Sequence, residues 1–398
     1  MTGDLLPQRP LLCRIPLLPG ESLWSYLARL AAANGYDSLS LLTRLCNQRL
    51  APLNLPRHNL LEPHHAETFA VLAALGGLTP RDLANASVHY FARAPLWAER
   101  GSSSLHLADG APLQLLDARI RSKYLLREHA VRFCPECLRE AAYHRLAWTL
   151  KEIWACLEHR RLLRDRCPNC AAQVSVRDVV RGQCRKCRAD LTDSAPDYVL
   201  APFDVFAQQT IRSWWGLAGP AVASTDWPLP DQPAPILHQL FELVQDAIRA
   251  ATSVGPTVLD RYNVQLQAFQ SLANWSTGFG NFLRGRLEQQ VRIRSYYSGC
   301  DFSGPVHLRD DSPFGFWICG LQDRPGFGFV QEAVDRFLVE NNIRVESGYR
   351  RTRLIIEADA ELQKIARSLA EKGMERMARM LESMGEDDPE SDWAAAGG

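Results

Sequence analysis

Apolar residues recur at helical spacing along most of this chain, with polar, glycine or proline breaks between the repeats. Leu23, Leu27 and Leu30 fall at i, i+4 and i+7 with Tyr26 beside them, Ser22 stands where an N-cap belongs, and Asn34-Gly35 offers a left-handed stop. A second short helix follows Asp37, and a connection containing Pro52 and Pro56 leads to a third over His65 to Leu75 that ends at Gly76-Gly77. Thr79 then caps a further helix with Pro80 at its first position and Asp82 three residues after the cap. A helix, a glycine turn and a short capped helix fit a helix-turn-helix, although the second helix lacks a clear basic run. A loop from Gly101 to Ser104 and a segment from Leu113 to Leu126 follow. Tyr143, Ala147, Leu150 and Trp154 keep helical spacing and predict another helix.

Beyond residue 196 the pattern remains mostly helical. Helices are expected over Phe203 to Leu217, Ile236 to Ala251 and Val258 to Trp275, with a Pro-rich linker from Gly219 to Pro235. Ile236, Leu240, Leu243 and Ala247 form a core stripe. Phe314 to Leu321 reads as a strand, Phe329 to Asn341 as a helix and Arg350 to Ile356 as a strand, an order compatible with a winged helix-turn-helix. Glu361 to Ser383 reads as a helix before an acidic run at Glu386, Asp387, Asp388, Glu390 and Asp392. The expected fold is mainly α with small zinc-ribbon β elements. Its divisions are an N-terminal helical, helix-turn-helix-like region (1–130), tandem zinc ribbons (131–195), a mostly helical C-terminal domain (196–356), and a terminal helix with an acidic tail (357–398).

The ribbons follow from eight ligand-type residues in two sets, Cys134, Cys137, Cys156 and His159, then Cys167, Cys170, Cys184 and Cys187. Each two-residue gap lets a tight knuckle aim both ligand atoms at one tetrahedral ion. Thiolate and imidazole suit zinc, and four protein ligands leave no open position, so two structural zinc ions are expected and no catalysis by them. Spacing favours sequential sites, while a cross-braced arrangement would satisfy it too. A redox pair would need a βαβ context that neither C-x-x-C has, and a zinc deaminase would need P-C-x-x-C where Phe133 and Arg166 stand. The remaining cysteines, Cys13, Cys46, Cys300 and Cys319, read as buried small hydrophobes, and His129 and His144 as surface or core histidines.

The 398 residues allow two or three domains, and a composition 46% hydrophobic and 23% charged is an ordinary globular mix. No apolar run approaches the roughly 20 residues of a spanning helix, and Met1 to Pro10 lacks the pattern of a signal peptide, so a soluble, cytoplasmic protein is expected. A formal net charge of zero argues against non-specific coating of nucleic acid. The charge is unevenly placed, however. From Arg119 to Arg188 there are 17 Lys and Arg against 7 Asp and Glu, about +7 once seven thiolates and two zinc ions are included. Arg284, Arg286, Arg292 and Arg294, with Tyr296 and Tyr297, combine cations and aromatics in a way that suits phosphate contact and base stacking.

Pro19-Gly20-Glu21-Ser22-Leu23, then Tyr26 to Ala31 and Asn34-Gly35, resembles the opening motif of the TniQ family, which includes the TnsD proteins. Phe133-Cys134-Pro135-Glu136-Cys137, Tyr143, Trp148, Cys156, His159, Leu163 and Cys167-Pro168-Asn169-Cys170 resemble that family's zinc-binding pattern in order, with Leu157 where members often carry proline. The resemblance spans about residues 10 to 215. It implies a non-enzymatic target selector of bacterial transposons that recruits an AAA+ ATPase, TnsC or TniB. Some members bind target DNA directly, and others ride on an RNA-guided CRISPR effector, often as dimers. Trp24, off the Leu23, Leu27, Leu30 stripe, is the candidate partner anchor, with burial against the second helix as its alternative. A zinc-ribbon/helix-turn-helix transcription regulator is the alternative reading.

Overall fold

In this computed structural model the described residues are 10–36, 38–51, 60–97, 103–193, 198–217, 229, 232–251, 255, 257–298, 306–309, 324–348 and 351–356; at 290–298, 306–309, 346–348 and 351–356 only the backbone is described. The chain is mostly helical and forms two compact units. One comprises Met1–Thr225, Pro233–Gln239 and Val254–Leu266, the other Asp226–Gln232, Leu240–Ser253 and Gln267–Gly398.

The first unit opens with α1 (Leu23–Ala33), α2 (Leu39–Leu50), α3 (Ala66–Gly76) and α4 (Pro80–Ala86). The Ser22 side chain accepts from the Ser25 N–H, and Thr79 and Asp82 form a reciprocal capping box, so both starts follow from local chemistry. Gly77 ends α3 at φ 72°, in the left-handed region. Leu23, Tyr26, Leu27 and Leu30 bury against Leu42, Cys46, Phe69, Leu72 and Leu83 in one core. α4 is two turns long with one cation, Arg81, and runs on into 3-10 turns at Val88–Arg93 and Pro95–Trp97. It therefore has the connectivity of a helix-turn-helix without a basic recognition face.

A hairpin of β1 (Ser104–His106) and β2 (Pro112–Gln114) precedes α5 (Ala118–Tyr124) and α6 (Pro135–Glu140). The helix expected across Tyr143 to Trp154 is absent. Those four residues are buried, but the backbone there makes a short 3-10 turn at Leu146–Thr149. Its polar groups go to other segments instead: the Leu146 N–H donates to the Gly20 carbonyl at 2.8 Å, and Leu126 N–H to Thr149 O at 2.7 Å. Tertiary hydrogen bonds have replaced the i to i−4 ladder. β3 (Ala155–Cys156) and β4 (Arg161–Leu162) pair antiparallel, and α7 (Val176–Arg181) and α8 (Pro202–Trp214) complete this stretch. Cys46 is buried as expected, whereas Cys13 is exposed.

α9 (Ala234–Ala251) and α10 (Val258–Ala273) contribute residues to both units. The buried face of α9 is Leu237, Leu240, Phe241, Val244, Ala247 and Ile248; Ile236 and Leu243 of the expected stripe are only half-buried. The second unit adds α11 (Thr277–Ser298), α12 (Gly328–Glu340) and an antiparallel sheet of order β5-β7-β6, with β5 Val306–Arg309, β6 Ile343–Gly348 and β7 Arg351–Ile356. Helix α12 and strand β7 match expectation, while β5 and β6 were not anticipated. The strand expected at Phe314 to Leu321, most of the linker expected from Gly219 to Pro235, whose last two residues instead open α9, the tail helix and acidic run, and Cys300 and Cys319 lie outside the described residues.

Candidate metal centres

Two knuckles and a hairpin bring the first ligand set together. Cys134 occupies the N-cap position of α6 without a side-chain capping bond, Pro135 supplies its first residue with no N–H to satisfy, and Cys137 sits one turn in. Cys156 ends β3, and His159 occupies the turn before β4. Cys137 Sγ lies 3.5 Å from Cys156 Sγ, and His159 Nδ1 lies 3.7, 3.3 and 3.6 Å from the sulfurs of Cys134, Cys137 and Cys156. A zinc tetrahedron with Zn–S near 2.3 Å has edges of about 3.5–3.8 Å, so these spacings suit one ion. The imidazole presents Nδ1 inward and its Nε2 faces Glu140 Oε1 at 3.1 Å, the outer-shell partner that orients a metal-bound histidine.

The second set closes in the same way. Cys167 Sγ is 3.6 Å from Cys187 Sγ and Cys170 Sγ is 3.7 Å from Cys184 Sγ. Its two knuckles repeat one geometry: the Ala171 N–H donates to Cys167 O and the Arg188 N–H to Cys184 O, with Ala171 and Arg188 at φ 53° and 63°. In each set all four ligand atoms lie within 4.8 Å of one another. The sets are thus sequential, and the geometry brings no ligand from one set into the other.

The electrostatics fit a cation. Hydrogen bonds from Cys134 and Cys137 hold the Cys156 thiol far below its ordinary range, while Cys137 is driven far up by its contacts with Cys134 and Cys156. Crowded sulfurs cannot all ionise unless a positive charge sits among them. Cys187 is pushed down to about 6, chiefly by the Ala189 backbone N–H.

The first centre is joined to the N-terminal helices by a polar clasp that the sequence did not reveal. Gly20, at φ 66°, turns the chain so that Glu21 bridges Arg145. The Ser22 N–H donates to His144 O at 2.9 Å, Ser22 Oγ and His144 Nδ1 are 3.0 Å apart, the His144 N–H donates to Ser25 Oγ, and Tyr143 Oη donates to Pro19 O. Burial pushes His144 down to about 3, so it works as a neutral hydrogen-bonding group. Trp24 stacks on the His144 ring and donates Nε1–H to Leu61 O at 2.8 Å. It is 2% exposed, which decides for burial over a surface anchor, although His144 and Leu61 cover it: its indole is the packing surface of this clasp.

Two buried ions brace the insert between Cys137 and Cys156. Arg132 donates to the carbonyls of Lys151 and Ile153 at 3.0 and 2.6 Å and lies 3.3 Å over the Trp154 ring; burial lowers it to about 9. Burial alone would raise the Glu152 carboxyl, but His238 and Trp215 outweigh it and hold it low: Trp215 Nε1–H donates at 2.7 Å and His238 Nε2 lies at 2.9 Å. Single charged residues without a motif carry no such signal in sequence. Between the clasp and the first centre lies a cleft of about 370 Å³ whose lining includes Leu17, Tyr90, Trp148, Leu157 and Arg212.

The proposed arginine cluster falls on α11. At 3.6 residues per turn, positions 284, 286, 292 and 294 are distributed round the axis and share no face. Arg284 and Arg286 are half-buried, and Arg286 Nη1 donates to Gln289 Oε1 at 2.6 Å. The side chains of Arg292 and Arg294 lie outside the described residues.

Residues 12–163 match the model of the TniQ family, a stretch that holds the clasp and the whole first centre and ends before the second. No curated protein matches the chain. A TniQ region implies a transposon-associated, target-selection role. No helix among the described residues is long and apolar enough to cross a membrane.

Proposed function

We propose, taking a TniQ region at residues 12–163 as the premise, that this protein is a non-enzymatic adaptor of bacterial transposition. It links target DNA, or an RNA-guided CRISPR effector, to the AAA+ regulator TnsC or TniB, and the regulator licenses the transposase. The observation that carries this reading is the clasp, Pro19 to Ser25 against Tyr143 to Leu146, which makes the N-terminal helices and the first ligand set one body. Two structural zinc ions complete it, held by Cys134, Cys137, Cys156 and His159, and by Cys167, Cys170, Cys184 and Cys187. Each ion would have four protein ligands and no vacant position, so it would shape the fold and leave selection to differential binding. With Trp24 inside, the cleft at Leu157 and Arg212 is the concave surface for the regulator in this reading; the Arg212 guanidinium has no hydrogen-bond or ion-pair partner among the described residues, although Cys156 and Glu158 attract it electrostatically.

A transposition assay in cells tests the proposal. Deleting the gene should abolish or randomise insertion at the target while purified transposase keeps its strand-transfer activity. Unchanged insertion frequency and position in the deletion would reject it.

A further inference from the structure

We infer that the rim of the second cysteine cluster is a phosphate-binding surface that lies along the backbone of duplex nucleic acid. This deepens the target-DNA half of the proposed function and rests on it.

Four cations stand next in sequence to cysteines of this cluster: Arg166 before Cys167, Arg185 after Cys184, and Lys186 and Arg188 on either side of Cys187. Because the four sulfurs lie within 4.8 Å of one another, the four cations are gathered round one point although 22 positions separate the first from the last. All four are exposed, as is Arg181 at the end of α7. None of the five forms an ion pair among the described residues.

Two neighbouring acids are turned to other work. Asp178 is buried and accepts from the Ser175 N–H and Oγ–H and from the Arg185 backbone N–H, while Asp190 accepts from Thr192 N–H and Oγ–H. Residues 164–188 carry seven Lys and Arg against two Asp, so even with four thiolates and one zinc ion the lobe stays near +3. Arg166 Nη1 donates to Ala171 O at 3.1 Å, which fixes the guanidinium across the first knuckle in a residue that stays exposed.

The chemistry selects the partner. A protein interface would centre on apolar or aromatic anchors, and none of the exposed large hydrophobic residues lies in this lobe. Exposed, unpaired and mostly arginine cations on a scaffold held by backbone hydrogen bonds suit the evenly spaced charges of a sugar-phosphate backbone, with no base readout implied. The α11 arginines lack both features, being half-buried where described and spread round their helix.

Fluorescence anisotropy of a short labelled duplex of mixed sequence, titrated with the zinc-loaded full chain between about 50 and 300 mM salt, tests this. Arg185→Gln/Lys186→Gln/Arg188→Gln should lower the slope of log affinity against log salt by about 2 to 3, since each phosphate contact contributes about 0.9, and should weaken binding at least tenfold near 100 mM salt. Arg185→Lys/Arg188→Lys should keep the wild-type slope. Elemental analysis checks that zinc is retained; should the triple variant lose it, Arg181→Gln, at the end of α7 and outside both knuckles, carries the test with a slope change of about 0.9. An unchanged slope in a zinc-loaded variant overturns the surface while leaving regulator recruitment intact. Equal affinity for poly-L-glutamate, lost by the same substitutions, overturns the nucleic-acid assignment. No duplex binding by the wild type at about 50 mM salt overturns the surface and the direct-DNA form of the function together.

Discussion

Trp24→Ala should cost this protein its fold before it costs it a partner. The indole is 2% exposed, stacked on His144 at 6.3 Å, and its Nε1–H donates to Leu61 O at 2.8 Å. Truncating a buried Trp to Ala typically removes about 3–5 kcal/mol through lost burial and the residual cavity. The Leu61 carbonyl loses its donor as well, adding on the order of 1 kcal/mol if water cannot replace it. Against a net stability of about 5–15 kcal/mol, that is a large fraction. Urea unfolding followed by far-UV circular dichroism should move to a clearly lower midpoint, with a melting temperature lower by roughly 2–4 °C per kcal/mol for a unit of this size. Trp24→Phe keeps most of the ring and loses the hydrogen bond, so it should fall between wild type and Ala. The result that refutes this reasoning is a Trp24→Ala protein with wild-type unfolding that has lost only its regulator contact, for then the side chain works at the surface.

Three further outcomes are expected. A Cβ at Gly76 would collide with the Tyr26 hydroxyl, so Gly76→Ala should destabilise by about 1–3 kcal/mol and Tyr26→Phe should recover much of that in the double variant; additive losses in a double-mutant cycle would contradict the contact. Because the Glu152 carboxyl is held low, its contribution to stability is present above the unfolded carboxylate pKa and is lost as pH falls through the folded one. Glu152→Gln should therefore be less stable at pH 7, on the order of 3 kcal/mol, with the gap narrowing on acidification; a pH-independent gap would contradict the pairing with His238 and Trp215. Elemental analysis should find two zinc ions per chain, and Cys137→Ser or Cys170→Ser should yield insoluble or locally unfolded protein, since binding of about 10–16 kcal/mol per structural zinc rivals the stability of a domain. Soluble, folded protein free of zinc would reject that assignment.

What could be read from sequence was what local chemistry decides. Ser22 and the Thr79–Asp82 pair mark helix starts because a cap acts within one turn, and each C-x-x-C gap dictates a knuckle wherever it occurs. The insert from Tyr143 to Trp154 misled because helical spacing of buried residues arises equally when the backbone bonds to Gly20, Tyr124 and Leu126. Strand β5 eluded the reading because its partner residues in β7 lie 44 to 50 positions away, beyond any short-range signal, whereas β6 pairs with β7 only 3 to 13 positions on but offers just Ile343 and Val345 as apolar alternants. Arg132, Glu152 and His144 are invisible for a related reason: a buried ion or neutral histidine is defined by what surrounds it, and those surroundings come from distant segments. Nor does a lone Trp beside a leucine stripe declare which side is solvent. Trp24 is buried because His144 and Leu61, far along the chain, cover it.

Recruitment of the AAA+ regulator tests the central claim most directly. Immobilised target DNA, or target DNA loaded with the guide complex, is incubated with the transposon's regulator and ATP, with and without the zinc-loaded full chain. The regulator should be retained only when this protein is present, and Arg212→Glu, which reverses the charge at that one position of the cleft, should reduce retention while leaving zinc content unchanged. Retention that is the same without the protein, or no association of the wild type with the regulator on either form of target, would contradict it.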